Sequence, residues 1–299
     1  MSATPSICLI GFGEVGQILA ADLAARGVAA LGTWDIKFAD RDSRPSRAAA
    51  RSGIRVGTDA ADALAGAELV ISAVTASECV NAARRCAESL PKGAYFLDLN
   101  SVAPATKVEA GAAIEAAGGR YVEAAVMSPN APRRIAAPIL LGGPHARAFE
   151  PLADRLGFTG AKTFADATGQ ASAAKMCRSV MIKGIEALLT ESLLAARHYG
   201  VERTVLDSLQ GMLPVGDWPA LARYMISRSL EHGTRRAEEM REVARTVEAA
   251  GVRPWMSLAC AARQDWAADH RTSADAEPLE ALLDAVLGSR DPAAGVPRC

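Results

Sequence analysis

Along the first half of the chain, short apolar runs alternate with longer stretches whose apolar residues recur every three or four positions. Residues 6–10, 29–35, 69–74, 94–98, 121–125 and 139–141 carry the run pattern and predict strands. Residues 15–26 and 77–89, lying between them, predict helices. Strand, helix and strand at this rhythm mean βαβ units and a mainly parallel sheet. Past residue 163 the strand signals stop. Residues 167–199 predict one long helix, with Gly169 near its start and Gly200 just past its end, and further helices follow to about residue 287. The tail, 288–299, is rich in Pro and Gly and is expected to be loose. There is no internal repeat. The pattern predicts an α/β domain over residues 1–163 and an all-α domain over 164–299 that begins with a long interdomain helix.

A length of 299 residues fits two such domains. Half the residues are hydrophobic and 22% are charged, which is enough to build two cores and excludes a disordered chain. No apolar run approaches the length of a membrane span, and the N-terminus has no basic segment ahead of Gly11, so neither a membrane protein nor a secretory signal is expected. A net charge of -1 without a basic cluster gives no reason to expect nucleic acid as a partner. A small molecule is the expected one. The cysteines (Cys8, Cys79, Cys86, Cys177, Cys260, Cys299) have neither C-x-x-C nor metal-finger spacing and read as reduced thiols of a cytoplasmic protein. His145, His198, His232 and His270 are scattered, and no metal site is expected.

The first chemical constellation is Gly11, Phe12, Gly13, Glu14, Val15 and Gly16, which follows a predicted strand and opens a predicted helix. A pyrophosphate needs this order: Gly11 for the tight turn, Gly13 for close backbone approach, Gly16 for helix against strand, and a helix N-terminus facing the charge. Asp35 ends the next predicted strand about 20 residues on, where a carboxylate accepts hydrogen bonds from both ribose hydroxyls. The expectation is a Rossmann-type doubly wound sheet binding a dinucleotide, with NAD preferred over NADP because Asp35 repels a 2′-phosphate. Lys37, Arg41 and Arg44 follow closely, either as surface cations or as ligands of such a phosphate. Trp34 is either core or a stacking platform for the adenine.

The second constellation lies on the long helix. Ser172, Lys175, Ser179, Lys183 and Glu186 fall within about 80° of one another on a helical wheel, one polar stripe on an otherwise Ala, Leu, Met and Ile helix. It is either a solvated face, with a Lys183–Glu186 pair one turn apart, or one wall of a catalytic cleft. Of 33 basic residues only six are lysines: Lys37, Lys92, Lys107, Lys162, Lys175 and Lys183. A lysine exchanges a proton where an arginine does not, so the two lysines of the stripe draw attention.

Five segments occur in the order seen in one family: the loop from Gly11 to Gly16; Thr33-Trp34-Asp35-Ile36; Asp98-Leu99-Asn100-Ser101-Val102-Ala103-Pro104; Glu123-Ala124-Ala125-Val126-Met127-Ser128; and the residues from Gly169 to Lys175. The chain thus resembles the β-hydroxyacid dehydrogenases of the 6-phosphogluconate dehydrogenase-like, 3-hydroxyisobutyrate dehydrogenase-like superfamily. Residues 125–138, Lys183 and the segment His232-Gly233-Thr234-Arg235-Arg236-Ala237-Glu238-Glu239-Met240 resemble a poorly characterised branch of it with its own C-terminal domain. The resemblance implies that Lys175 is the catalytic general acid/base, that Ser101 lies near nicotinamide and substrate, and that Ser179 helps orient substrate. It places Met127 and Ser128 where the family has a carboxylate-holding Ser-Gly-Gly turn. Pro129 stands in that turn without an amide hydrogen, so anchoring there is expected to differ. Lys183 and Arg235 or Arg236, with Arg236 favoured, are the substrate-side cations, unless residues 235–245 are only a charged amphipathic helix. Val74, Thr75 and Asn100 join the Gly loop and Asp35 on the cofactor side. The family pairs through its helical half, so a homodimer or higher oligomer is expected.

The activity expected is reversible hydride transfer between nicotinamide and the carbinol carbon of a small hydroxy acid or related polar alcohol. Two rivals stand beside it: an imine or imino-acid reductase on the same scaffold, and a non-enzymatic dinucleotide sensor. Lys175 argues against the first, since a protonated lysine suits carbonyl chemistry, and the lysine stripe of the long helix argues against the second.

Overall fold

The computed structural model describes residues 4–128, 133–212 and 215–288. Pro129 and Pro132, with the tail beyond residue 288, lie outside the described residues. The chain groups into two compact units, Met1–Met176 and Cys177–Cys299.

The first unit runs β1 (Ile7–Ile10), α1 (Glu14–Ala25), β2 (Leu31–Trp34), α2 (Arg44–Ser52), β3 (Arg55–Val56), α3 (Ala60–Leu64), β4 (Leu69–Ser72), α4 (Cys79–Ala87), β5 (Tyr95–Asp98), α5 (Pro104–Ala116), β6 (Arg120–Val126), β7 (Ile139–Gly142), α6 (Ala146–Arg155) and β8 (Ala161–Ala165), ending in the first turns of α7 (Gln170–His198). The eight strands form one sheet in the order β3-β2-β1-β4-β5-β6-β7-β8, parallel except for the antiparallel β6–β7 pair. This is the doubly wound Rossmann-type sheet expected, with an added strand at each edge. Both faces are covered, which is why the inner strands read as unbroken apolar runs. Ile7 and Leu9 of β1 face a core with Leu23, Ile71, Leu97 and Phe149, while Cys8 and Ile10 face a second core with Leu64, Val70, Phe96 and Ile114.

β3 and β8 have no counterpart in the sequence reading. β3 is a two-residue edge piece with both residues exposed, and β8 (Ala-Lys-Thr-Phe-Ala) has no apolar run because only one face of an edge strand needs to be buried. The boundary expected after residue 163 moves into α7, because the helix's first turns are hydrogen-bonded to β6 and to the segment after β5. The helix itself is flanked as expected by Gly169 (φ +99°) and Gly200 (φ +69°), both in the left-handed region that favours glycine.

The second unit is helical: the rest of α7, then α8 (Glu202–Met212), α9 (Trp218–Ala249), α10 (Trp255–Ala268) and α11 (Leu279–Gly288). Its core gathers Leu189, Leu193, Ile226, Leu230, Leu282 and Leu283. Asp217 caps α9, its carboxylate accepting from the Ala220 amide at 2.9 Å. His232 breaks α9 with non-helical dihedrals (φ -119°, ψ 17°). The next residue, Gly233, is buried where α10 comes so close that a Cβ would stand 2.5 Å from the Gln264 carbonyl oxygen.

Candidate active site

The order of strands reverses between β1 and β4, and in open α/β sheets ligands bind at the carboxyl ends of the strands at such a point. A cavity of about 540 Å³ lies there, lined on one side by Gly11, Gly13, Trp34, Asp35 and Lys37 and on the other by Val74, Thr75, Asn81 and Arg85. Gly11 (φ +92°) leaves no room for a side chain, since a Cβ would come within 2.5 Å of the Ala73 carbonyl oxygen. At Gly16 a Cβ would collide with the Gly11 carbonyl, so α1 packs on its own loop only through a glycine. Beyond Gly13 lies open space, with nothing within 4 Å of where a Cβ would be. The turn, the open approach and the helix N-terminus together fit a pyrophosphate.

Asp35 is nearly buried and oriented by backbone: its Oδ2 accepts from the Phe12 amide at 2.7 Å and its Oδ1 from the Lys37 amide at 2.8 Å. Each oxygen keeps a lone pair for a ribose hydroxyl. The Phe12 ring belongs to the core, so that residue contributes backbone alone; Val15 packs against the same core and Glu14 is exposed. Trp34 is part of the core's edge and also faces the cavity. It packs against the second core and lines the cavity, with the Arg85 guanidinium 5.4 Å from its ring centroid. Of the cations after β2, Lys37 is in the lining while Arg41 and Arg44 are not. Arg85 and Asn81 escaped the sequence reading. Their only signal is one face of α4 (Asn81, Ala82, Arg85) with Glu78 just ahead of it, and that face is recognisable only once α4 is known to flank the switch point.

From Val74 the site continues inward. The Val74 amide donates to Asn100 Oδ1 at 2.7 Å, and Asn100 Nδ2 donates to Ser72 Oγ at 3.0 Å. The next residue, Ser101, accepts a 2.6 Å hydrogen bond from Lys175 Nζ. Beneath this segment lies a polar core that the sequence did not disclose. Lys107, 1% exposed, places Nζ 2.8 Å from Asp98 Oδ1 and donates to the Asp98 carbonyl, while the Tyr121 hydroxyl donates to Asp98 Oδ2 at 2.7 Å. Burial, then the Asp98 carboxylate, raises the Tyr121 phenol well above its ordinary value, so it stays a donor. Cys79 sits in the same network, its thiol pushed up to about 12 by burial, and is no nucleophile.

The polar stripe of α7 is not a solvated face, for Ser172, Ser179, Lys183 and Glu186 are all buried. Nor do Lys183 and Glu186 pair with each other. Lys183 Nζ is 2.5 Å from Glu239 Oε2, and Glu186 pairs with Arg236. Glu239 also takes Arg235 at 2.8 Å. The two proposed substrate cations, Lys183 and Arg236, are thus each held by a carboxylate of the helical unit. Just past β6 the Met127 amide donates to the Pro138 carbonyl at 2.8 Å, so it prolongs the β6–β7 pairing by one bond, and Ser128 is half-buried.

A family model described as the NAD binding domain of 6-phosphogluconate dehydrogenase matches residues 6–169. The chain belongs to that family. A second model, described as a domain of unknown function (DUF1932), matches residues 196–267. A conserved hypothetical protein from Sinorhizobium meliloti 1021 is 36% identical, with 95% of this chain and 96% of that chain covered and a TM-score of 0.73. A conserved protein of unknown function whose structure is described as similar to 3-hydroxyacid dehydrogenases is 32% identical over 90% of this chain and 99% of its own, with a TM-score of 0.67. The fold also matches a Mycobacterium tuberculosis 3-hydroxyisobutyrate dehydrogenase structure with L-serine, at 21% identity, 94% and 98% coverage and a TM-score of 0.71. Among the described residues, no helix is long and apolar enough to cross a membrane, and no cluster of three or more His, Cys, Asp or Glu has the arrangement of a metal site.

Proposed function

We propose that this protein is an NAD(P)-dependent dehydrogenase or reductase that interconverts a small hydroxy acid, or related polar alcohol, and its carbonyl counterpart. The observation that carries the reading is the 2.6 Å hydrogen bond from Lys175 to Ser101, one residue past the Asn100 that leads from the dinucleotide cavity. When bound, the dinucleotide exchanges a hydride with the carbinol carbon. Lys175 takes the hydroxyl proton at Nζ during oxidation and returns it during reduction. Because the ammonium donates to Ser101 Oγ, the serine's own hydrogen is available to the substrate oxygen. Oxidation needs Lys175 unprotonated and reduction needs it protonated, so the two directions have opposite pH dependences. Asp35 at the ribose position supports NAD as the preferred cofactor. The described cysteines are all free thiols, which supports a cytoplasmic setting.

The test is nicotinamide absorbance against a panel of hydroxy acids, ketones and imines, with Lys175→Met in parallel. The expected result is turnover of a hydroxy acid or its carbonyl partner and a kcat lower by roughly 10²- to 10⁴-fold in the variant. Turnover of imines alone, or dinucleotide binding without turnover of any compound, would overturn it.

A further inference from the structure

Glu123 is fully buried on β6, yet it is a carboxylate that neither the cavity nor the Lys175–Ser101 pair uses directly. Its oxygens are divided between two amides at the start of α7: Oε2 accepts from Gly169 at 2.6 Å and Oε1 from Ser172 at 2.6 Å. The first amides of a helix have no partner inside it, and their positive end favours an anion. Here the anion comes from a strand and not from the helix's own cap residue. Ser172, held by that amide, donates its hydroxyl to the Val102 carbonyl, one residue past Ser101. One turn further along α7, Lys175 reaches Ser101 itself. Four residues after Glu123, just past the end of β6, comes Met127, where the loop that the resemblance places on the substrate side begins.

We infer that Glu123 is a positioning residue: its carboxylate fixes the first turn of α7 against the Ser101 segment and so sets where Lys175 places its proton. This inference rests on the role proposed above for Lys175. The carboxylate has been given room for this. Gly142 stands opposite Glu123 in the antiparallel β6–β7 register, and a Cβ there would come within 2.6 Å of Glu123 Oε2. The charge is costly where it lies, because burial raises the Glu123 carboxyl above its ordinary value against the opposing pull of Lys107 and of the two amides; Asp98 adds to the rise. Both oxygens accept amide hydrogens, which a neutral glutamine amide in the same place could not do.

The experiment compares Glu123→Gln and Gly142→Ala with wild type in the full-length protein. Glutamine leaves one of the two amides facing an NH₂ group, and alanine at 142 pushes on the same oxygen from across the sheet without altering its chemistry. Four quantities are read: kcat and KM, dinucleotide Kd, hydrogen exchange of the Gly169–Lys175 peptide, and pH-dependent acetylation of Lys175 by acetic anhydride. For Glu123→Gln the expected result is a kcat lower by about 10- to 100-fold, KM and dinucleotide Kd within about threefold, faster exchange at Gly169 and Ser172, and a Lys175 labelling midpoint moved to lower pH. Gly142→Ala should lower kcat and speed exchange in the same sense. Wild-type kcat and labelling in Glu123→Gln would overturn the inference; if that variant does not fold, unchanged kcat and exchange in Gly142→Ala would do so. Altered exchange and labelling in a protein that turns over nothing on the panel would leave the positioning role standing and sink the proposed activity.

Discussion

Lys107 and Lys175 show two uses of a residue type this chain employs sparingly. Lys107 is sealed in the sheet's flank with Asp98 as its partner, so its charge is structural. Replacing it with methionine leaves the Asp98 carboxylate buried against the Tyr121 hydroxyl with no cation, and breaking such a pair costs about 3–5 kcal/mol. Urea unfolding of Lys107→Met should show that loss. Lys175 is half-buried and donates to the Ser101 hydroxyl, and Lys175→Arg keeps its charge, so the urea midpoint should stay nearly unchanged while kcat falls almost as far as in Lys175→Met, since a guanidinium keeps its proton. A Lys175→Arg enzyme with near-normal turnover would remove proton transfer from this residue. Both are among the chain's six lysines, but the helical stripe marked Lys175 and nothing in the sequence marked Lys107. Lys107 meets Asp98 because the first turn of α5 lies against the end of β5, a tertiary fact with no local pattern in the sequence.

Among the elements, the most legible is the β1–α1 turn, where steric demands are written as glycines at fixed spacing. Gly16→Ala would drive a Cβ into the Gly11 carbonyl and separate the helix N-terminus from its strand. Its dinucleotide Kd should rise by at least tenfold, about 1.4 kcal/mol, by fluorescence titration. The least legible elements are β3, β8 and the break in α9. Edge strands lack a two-sided apolar demand, and nothing near His232 and Gly233 in sequence announces the approach of α10. That approach is nonetheless tight, so Gly233→Ala is an overpacking change expected to destabilise the helical unit by about 1–3 kcal/mol. Urea unfolding of Gly233→Ala measures it; a dinucleotide Kd equal to wild type would show that the effect stays in that unit. The polar stripe of α7 was legible as a stripe, but its partners Glu239 and Arg236 come from α9 and had to be supplied by packing.

For the whole molecule, the buried thiols report on stability. Cys8 and Cys79 have thiols pushed up to about 12 by burial, from an ordinary value near 9.0. A group whose folded pKa lies above its unfolded one stabilises the fold at low pH and loses that contribution as pH rises between the two values. The urea midpoint should therefore fall steadily above about pH 9, and alkylation at pH 8 should reach exposed Cys177 while sparing Cys8, Cys79 and Cys86 until unfolding. Early modification of Cys79 would contradict the sealed network around Asp98. Exposure of another kind bears on assembly. Val252, Trp255, Met256 and Leu258, close together in sequence where α9 gives way to α10, all expose more than half of their surface, with Trp255 at 71%. Clustered exposed apolar residues are uncommon on soluble monomers and mark places where another surface lies. With the helical unit expected to pair, light scattering at micromolar concentration should return at least twice the 31.1 kDa chain mass. A monomeric mass at that concentration would mean that the helical unit covers its own apolar surface well enough to stand alone.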